Sequence, residues 1–385
     1  MKENQSEKPV SDPRSPDQGG DNRVLLEKES SRIHTLCDVL HPENMQLAWQ
    51  RVRANKGAAG IDNMSVGDFP AFFENHGETM MQKLRDGRYR PSPVKQCRIP
   101  KANKANGGYR TLGIPTVLDR VIQQAIAQVL SPHYEAKFSD HSYGYRPHRS
   151  AQGAVEKMHG YALDRGKNCH VVDCDLKAFF DTVDHQKLMA KLRESIADRE
   201  LLGLLMKYLK AGAITVEGKF IHTPEGVPQG GPLSPLLANI LLDELDSELE
   251  SREHEFVRYA DDFVIMCKSP RAGARILESV SRYLRTKLKL IVNTTKSKVV
   301  ALKDARFLGF KIYRRKIRWT DEAKMRFKSE VKRITSRTRG VAVGVVYRDL
   351  RDYLRGALNY YMMGVTFREV RELDSWIRRR MRMFY

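Results

Sequence analysis

Hydrophobic spacing along this chain changes period several times, and each change marks an element. Between Pro42 and Asn55, Met45, Leu47, Ala48 and Val52 suggest a short helix, closed by the Gly57/Gly60 loop. Arg98–Ile114 reads as strand, turn, strand around Asn106-Gly107-Gly108. Leu118, Val121, Ile122, Ala125, Ile126 and Val129 then share one helical face until Pro132, which should stop that helix. His170–Leu176 alternates poorly but is rich in β-formers, and reads as a buried strand. Helices are expected over His185–Ile196 and Asp198–Lys210, then a hairpin over Ala213–Thr223 turning at Glu217-Gly218. Pro235 opens an apolar helix running to about Glu250. Phe256–Cys267 is a strand pair interrupted by Asp261-Asp262, and Arg271–Leu290 is helical. Lys298–Trp319 contains further short strands, and everything after Asp321 reads as helices.

That order makes an α+β sheet domain with a helical appendix and no internal repeat. Residues 1 to 30 are polar and Pro/Gly/Ser-rich. They carry too little apolar surface to offset ordering entropy, so disorder is expected there. The N-terminus has no apolar h-region and does not read as a signal peptide. The longest apolar run is about seven residues, around Leu236–Leu242. A membrane span needs ~20, so no membrane partner is expected. The five cysteines are scattered with no C-x-x-C pair. Free thiols in a reducing cytoplasm are the simple reading.

Charge narrows the partner. Lys plus Arg number 67 against 47 acidic residues, a net +20. Such an excess points to a polyanion, because each neutralised phosphate releases condensed counterions. It is concentrated late: Lys311 to Arg339 holds twelve Lys/Arg against Asp321, Glu322 and Glu330. Tyr313, Trp319 and Phe327 interleave with those cations and are expected to offer stacking surfaces to bases.

Three segments carry candidate chemistry. RYADDFVIM sets Asp261 and Asp262 side by side between β-rich flanks, where a tight turn presents both at one end. Adjacent ionised carboxylates repel unless cations intervene, and Mg²⁺ takes carboxylates together with substrate phosphates. The dipeptide alone reads equally as an ordinary Asp turn. VVDCDLKAFFDTVDH puts Asp173 and Asp175 on one strand face, with Asp181 and Asp184 a few residues further along the chain. A third carboxylate beside the Asp261-Asp262 turn would complete a site for two cations about 4 Å apart. Such a site activates a primer 3′-hydroxyl and neutralises leaving pyrophosphate. EGVPQGGPLSPLLANILL joins a glycine turn to an apolar helix, whose opening N–H groups suit an anion.

Together these segments resemble the reverse transcriptase family, specifically its group II intron branch. The order is IPK…GGYRTLGIPTVLDRVIQQA, SYGYRPHRSAQGAV, DCDLKAFFDTVDH, GVPQGGPLSPLLANI, YADD, NTTKS and FLGF. AWQRVRANKGAAGID resembles the N-terminal extension of intron-encoded enzymes, and RDYLRGALNYYMMGVTFREVRELDSWIRRRMR the maturase-specific thumb. The resemblance implies a right-hand polymerase: a polar segment over 1–40, an extension over 41–65, fingers and palm over 66–305. Palm end, helical thumb and maturase-like region would then fill 306–385.

By the same resemblance Asp175, Asp261 and Asp262 hold two Mg²⁺ ions, with Mn²⁺ as a possible substitute. Phe180 is the steric gate against a ribose 2′-hydroxyl, and Gln229 lies beside the incoming base pair. Lys101 and Arg110 clasp the triphosphate, with Lys104 able to replace Lys101. Lys296 is the candidate proton donor to pyrophosphate. The implied partners are an RNA template, a group II intron RNA, a DNA primer or target and dNTPs. No separate DNA-binding domain and no endonuclease segment with paired cysteines is read in this sequence, so full mobility on duplex DNA is not expected of it. Two alternatives share the palm: an RNA-binding splicing maturase with incidental polymerase activity, and a defence or CRISPR-associated reverse transcriptase. The maturase-like tail argues against the second.

Overall fold

The structure, a computed structural model, describes residues 35–100, 108–165 and 169–384. The disorder expected before residue 30, and the Asn106-Gly107 part of the expected turn, lie outside the described residues. The chain opens with α1 (Leu36–Val39), α2 (Pro42–Ala54) and α3 (Phe69–Arg85). Strands β1 (Val94–Pro100) and β2 (Tyr109–Ile114) precede α4 (Val117–Glu135) and α5 (Ala151–Arg165). Next come β3 (His170–Asp175), α6 (His185–Arg193), α7 (Arg199–Leu209), β4 (Ala213–Ile214), β5 (Phe220–Ile221) and α8 (Ser234–Ser251). Then follow β6 (Phe256–Tyr259), β7 (Asp262–Cys267), α9 (Pro270–Tyr283), β8 (Lys298–Ala301), β9 (Phe310–Tyr313) and β10 (Lys316–Trp319). Helices α10 (Asp321–Ile334), α11 (Val343–Tyr361) and α12 (Phe367–Arg382) end the described chain.

The central sheet runs β6-β7-β3-β8 and is antiparallel throughout. Both of its faces are covered, which is why β3 alternates poorly. Val172, Cys174, Phe263 and Ile265 pack into one apolar cluster with α4 and α8. Val171, Val257, Val264 and Met266 pack into another with α5 and the C-terminal elements. Helix α8 is buried nearly all round, from Leu236 to Leu242, as expected of a helix without a polar face. A second sheet, β2-β1-β4-β5, contains one parallel pairing, Val94 with Ala213 and Lys95 with Ile214. The chain between β1 and β4 includes four helices, ample for a parallel crossover.

Pro132 does not end its helix: α4 runs on to Glu135. Proline inside a helix costs ~3 kcal/mol. Tyr134 lies buried beyond it with its ring stacked on Phe138 at 6.1 Å, and burying large apolar side chains contributes about 1.5–3 kcal/mol each. Helices α6 and α7 begin where Asp184 and Asp198 accept from the backbone N–H of Lys187 and Leu201, each at 2.9 Å. The other carboxylate oxygen of Asp184 meets the Lys289 ammonium at 2.5 Å.

Candidate active site

Register, through the two-residue period of strands, gathers the acids. Asp175 at the end of β3 pairs with Asp262 at the start of β7, so their side chains leave the same sheet face at the same end. Asp173 follows on that face two residues back, opposite Lys298 of β8. Tyr259 pairs with Asp262, which leaves Ala260 and Asp261 as the turn between β6 and β7. Ala260 has φ +58°, a left-handed conformation that costs a residue with a Cβ of order 1–3 kcal/mol.

The carboxylates repel one another in a partly desolvated place. Burial, then the charges of Asp173, Asp261 and Asp175, push Asp262 up to about 8. Burial likewise raises Asp173 to about 6, with Asp175 adding to it against Lys298. Asp261 is raised by burial and by Asp175, while its own N–H, Arg110 and Lys296 work the other way. Asp175 is held on several sides by the segment Asn293–Ser297. Lys296 Nζ lies 2.7 Å and Asn293 Nδ2 3.0 Å from its Oδ2. The Asn293 N–H donates to its carbonyl at 2.8 Å, and its own N–H donates to Ser297 Oγ at 3.0 Å.

Among the described residues no three His, Cys, Asp or Glu side chains close a metal cage by themselves. An open set suits a hard cation that completes its shell with phosphate oxygens. A bound cation would also reverse the penalty that raises Asp262. Carboxylate oxygens are the donors a hard divalent ion takes.

The loop before α8 joins this corner to the second sheet. The Val227 N–H donates to Phe180 O at 2.6 Å, and the Gly113 N–H of β2 donates to Gln229 O at 2.6 Å. Gly230, at φ +123°, lies so close to β2 that a Cβ would stand 2.4 Å from Gly113 O. Phe179 points into the core and is buried, whereas its neighbour Phe180 is half-buried. Arg110 is exposed on β2, and its charge reaches both Asp261 and Tyr145. Lys101 lies outside the described residues, as does its alternative Lys104.

Sequence reasoning gave no role to Tyr145, Asn293, Ser297 or Arg258. The first three stand in segments already singled out, SYGYR and NTTKS, but only Lys296 was chosen. Arg258 opens the quoted segment RYADDFVIM, and it is buried. The stacking surface expected of Trp319 and Phe327 is corrected: they are 3% and 5% exposed and pack against each other, edge on, at 5.8 Å. Their spacing matches the apolar face of the β10–α10 segment. Tyr313 alone of the three stays exposed.

An antiparallel sheet thus carries acids at one end, and exposed Arg110 on the second sheet acts on one of them. Residues 99–312 match the reverse transcriptase (RNA-dependent DNA polymerase) family, and residues 324–385 the group II intron maturase-specific domain. The chain belongs to the reverse transcriptase family, in the branch encoded by group II introns. It is 33% identical over 330 residues to protein YkfC of Escherichia coli, covering 75% of this chain and 86% of YkfC. It is 30% identical over 342 residues to the group II intron-encoded protein LtrA of Lactococcus lactis, covering 71% of this chain. It spans 55%, about half, of LtrA. A solved partial Cas6-RT-Cas1–Cas2 complex is similar at 27% identity, covering 66% of this chain and 43% of that one, with TM-score 0.41.

Proposed function

We propose that this chain copies RNA into DNA at the corner formed by Asp175, Asp261 and Asp262, and that it also grips a group II intron RNA to assist splicing. The observation that carries the first half is the register of Asp175 against Asp262 beside the Asp261 turn. The second half rests on the match of residues 324–385 to the maturase-specific domain. Residues 66–305 act as fingers and palm, and 306–385 as palm end and thumb, preceded by an extension over 41–65. The five unpaired thiols suit a cytoplasmic setting.

Asp175, Asp261 and Asp262 would hold two Mg²⁺ ions, or Mn²⁺ in their place. Held there, such ions would supply Lewis-acid chemistry, easing deprotonation of the primer 3′-hydroxyl and offsetting charge on the pyrophosphate. The protein's own part is mainly positioning and charge neutralisation. Phe180 lies under the incoming sugar, where its ring would clash with a 2′-hydroxyl. Gln229, tied through its carbonyl to Gly113, borders the nascent base pair. Arg110, with Lys101, grips the triphosphate, for which a guanidinium offers a bidentate fork. Lys296 hands a proton to the departing pyrophosphate.

The test is primer extension on an RNA template with dNTPs and Mg²⁺, beside a splicing assay on an intron RNA carrying the coding sequence. DNA synthesis that stops on chelation supports the first half. Accelerated splicing supports the second. Absence of any templated synthesis contradicts the polymerase reading.

A further inference from the structure

Arg258 and Asp246 are both withdrawn entirely from solvent, at 0% side-chain exposure. Such a pair adds little stability, since well-packed apolar groups of similar volume are often as stable or more so. Its geometry suggests another use. Arg258 Nε and Nη2 meet Asp246 Oδ1 and Oδ2 on α8 at 2.7 and 2.5 Å. Nη1 then reaches Asn239 Oδ1 at 3.0 Å and the Ala260 carbonyl at 3.1 Å. Asn239 Nδ2 in turn donates to Gly144 O at 2.9 Å. Gly144 faces the same turn so closely that a Cβ there would stand 2.3 Å from Ala260 N.

The guanidinium ties α8 to the turn 259–262, and Asn239 extends the tie to the stretch 141–146. The Arg258 backbone is fastened too, its N–H donating to His141 O and its carbonyl accepting from the Tyr143 N–H, each at 2.9 Å. Ala260 keeps its left-handed conformation only if the surroundings impose it. Arg258 holds its carbonyl, and the Gly144 backbone closes on its N–H side.

We propose that Arg258 is a positioning residue for nucleotide transfer: by fixing the Ala260 carbonyl it fixes where the Asp261 carboxylate stands. This rests on the polymerase reading of the site. A planar fork is required, because one edge must clasp Asp246 while the remaining nitrogen reaches the turn.

The experiment uses the full chain carrying Arg258→Lys, which keeps a charge opposite Asp246 but loses the fixed donor to Ala260. Removing a group that orients a metal ligand typically costs 10–100-fold, so kcat for primer extension should fall by ~10-fold or more. Affinity for an RNA–DNA duplex should stay within ~3-fold, because the latch touches no nucleic acid. Mn²⁺ affinity, read from the electron paramagnetic resonance of free Mn²⁺ with duplex and a non-incorporable nucleotide present, should weaken by ~10-fold. If Arg258→Lys does not fold, Arg258→Met/Asp246→Leu replaces the pair with apolar groups, and the same losses are expected. Wild-type kcat and Mn²⁺ affinity in either folded variant overturns the latch. So does loss of the cooperative melting transition in both, which makes the pair a folding requirement. Failure of the unmodified chain to extend a primer overturns the polymerase reading instead.

Discussion

Lys296 Nζ stands 2.7 Å from Asp175 Oδ2, on the carboxylate assigned to the metals. The lysine side chain is 62% exposed, and an exposed pair of this kind is worth only ~0–1 kcal/mol. Lys296 can therefore leave Asp175 when substrate and cations arrive, and become free to meet the pyrophosphate. General acid help of that sort contributes ~10²–10⁴-fold. Lys296→Ala should cut kcat by at least ~10²-fold while Mn²⁺ affinity stays equal or rises, because a competing cation is gone. Wild-type kcat in this variant would leave Lys296 as a counter-ion only.

Phe179 and Phe180 are adjacent and meet edge on at 5.2 Å, yet their surroundings differ. Phe179 is 2% exposed, so Phe179→Ala should destabilise the chain by about 3–5 kcal/mol. The Phe180 ring is only half-buried against the same cluster, so Phe180→Ala should lower the melting temperature less than Phe179→Ala and raise ribonucleotide over deoxynucleotide incorporation. Sugar discrimination measured on both variants decides between the rings. Relaxed discrimination in Phe179→Ala alone would show that the wrong ring was chosen.

The outline of the fold was legible because its elements bury distinct faces. The α4 face, the all-round apolar α8 and the β-rich strands around two acidic segments could be read from spacing alone. What spacing could not give was direction. The buried Arg258 and the exposed Arg110 are the same residue type in a chain with 67 cations, and only tertiary packing separates them. Trp319 and Phe327 were misread for a related reason: aromatic residues among charges fit a stacking surface and an amphipathic core face equally well. The shared face of Asp173 and Asp175 was legible because period-2 placement survives folding, and β7 sets Asp262 against Asp175.

The basic thumb is tested through salt. On α10, Lys328 and Lys332 are exposed, whereas Arg333 already holds Glu330 at 2.6 Å. Engagement of 6–10 phosphates on a duplex should cost roughly 10³–10⁵-fold in affinity between 50 and 200 mM salt. Lys328→Glu/Lys332→Glu should flatten that slope, shorten extension products and impair splicing. Arg333→Glu should do less. Normal splicing with poor extension would make this helix a polymerase thumb only.

Acid should weaken the tie between α10 and α12. Burial opposes ionisation of Glu369, but the Lys324 ammonium at 2.5 Å and the Thr366 N–H and hydroxyl outweigh it and hold the carboxyl at about 2. A carboxyl lowered by folding stabilises above its unfolded pKa, near 4.5, and that contribution fades as pH falls from there towards 2. Glu369→Gln should therefore lower the melting temperature at pH 7 and hardly at all near pH 2. A uniform drop across that range would place the effect in packing instead.

The most direct measurement is primer extension on an RNA template by Asp261→Asn beside the unmodified chain, with RNA–DNA duplex affinity recorded for both. Asparagine keeps the shape of the turn but not the charge that the metals require. Extension should fall by ~10³-fold or more while duplex affinity stays within ~3-fold, and assisted splicing should be spared. Robust extension by Asp261→Asn would contradict the assignment of catalysis to this carboxylate corner.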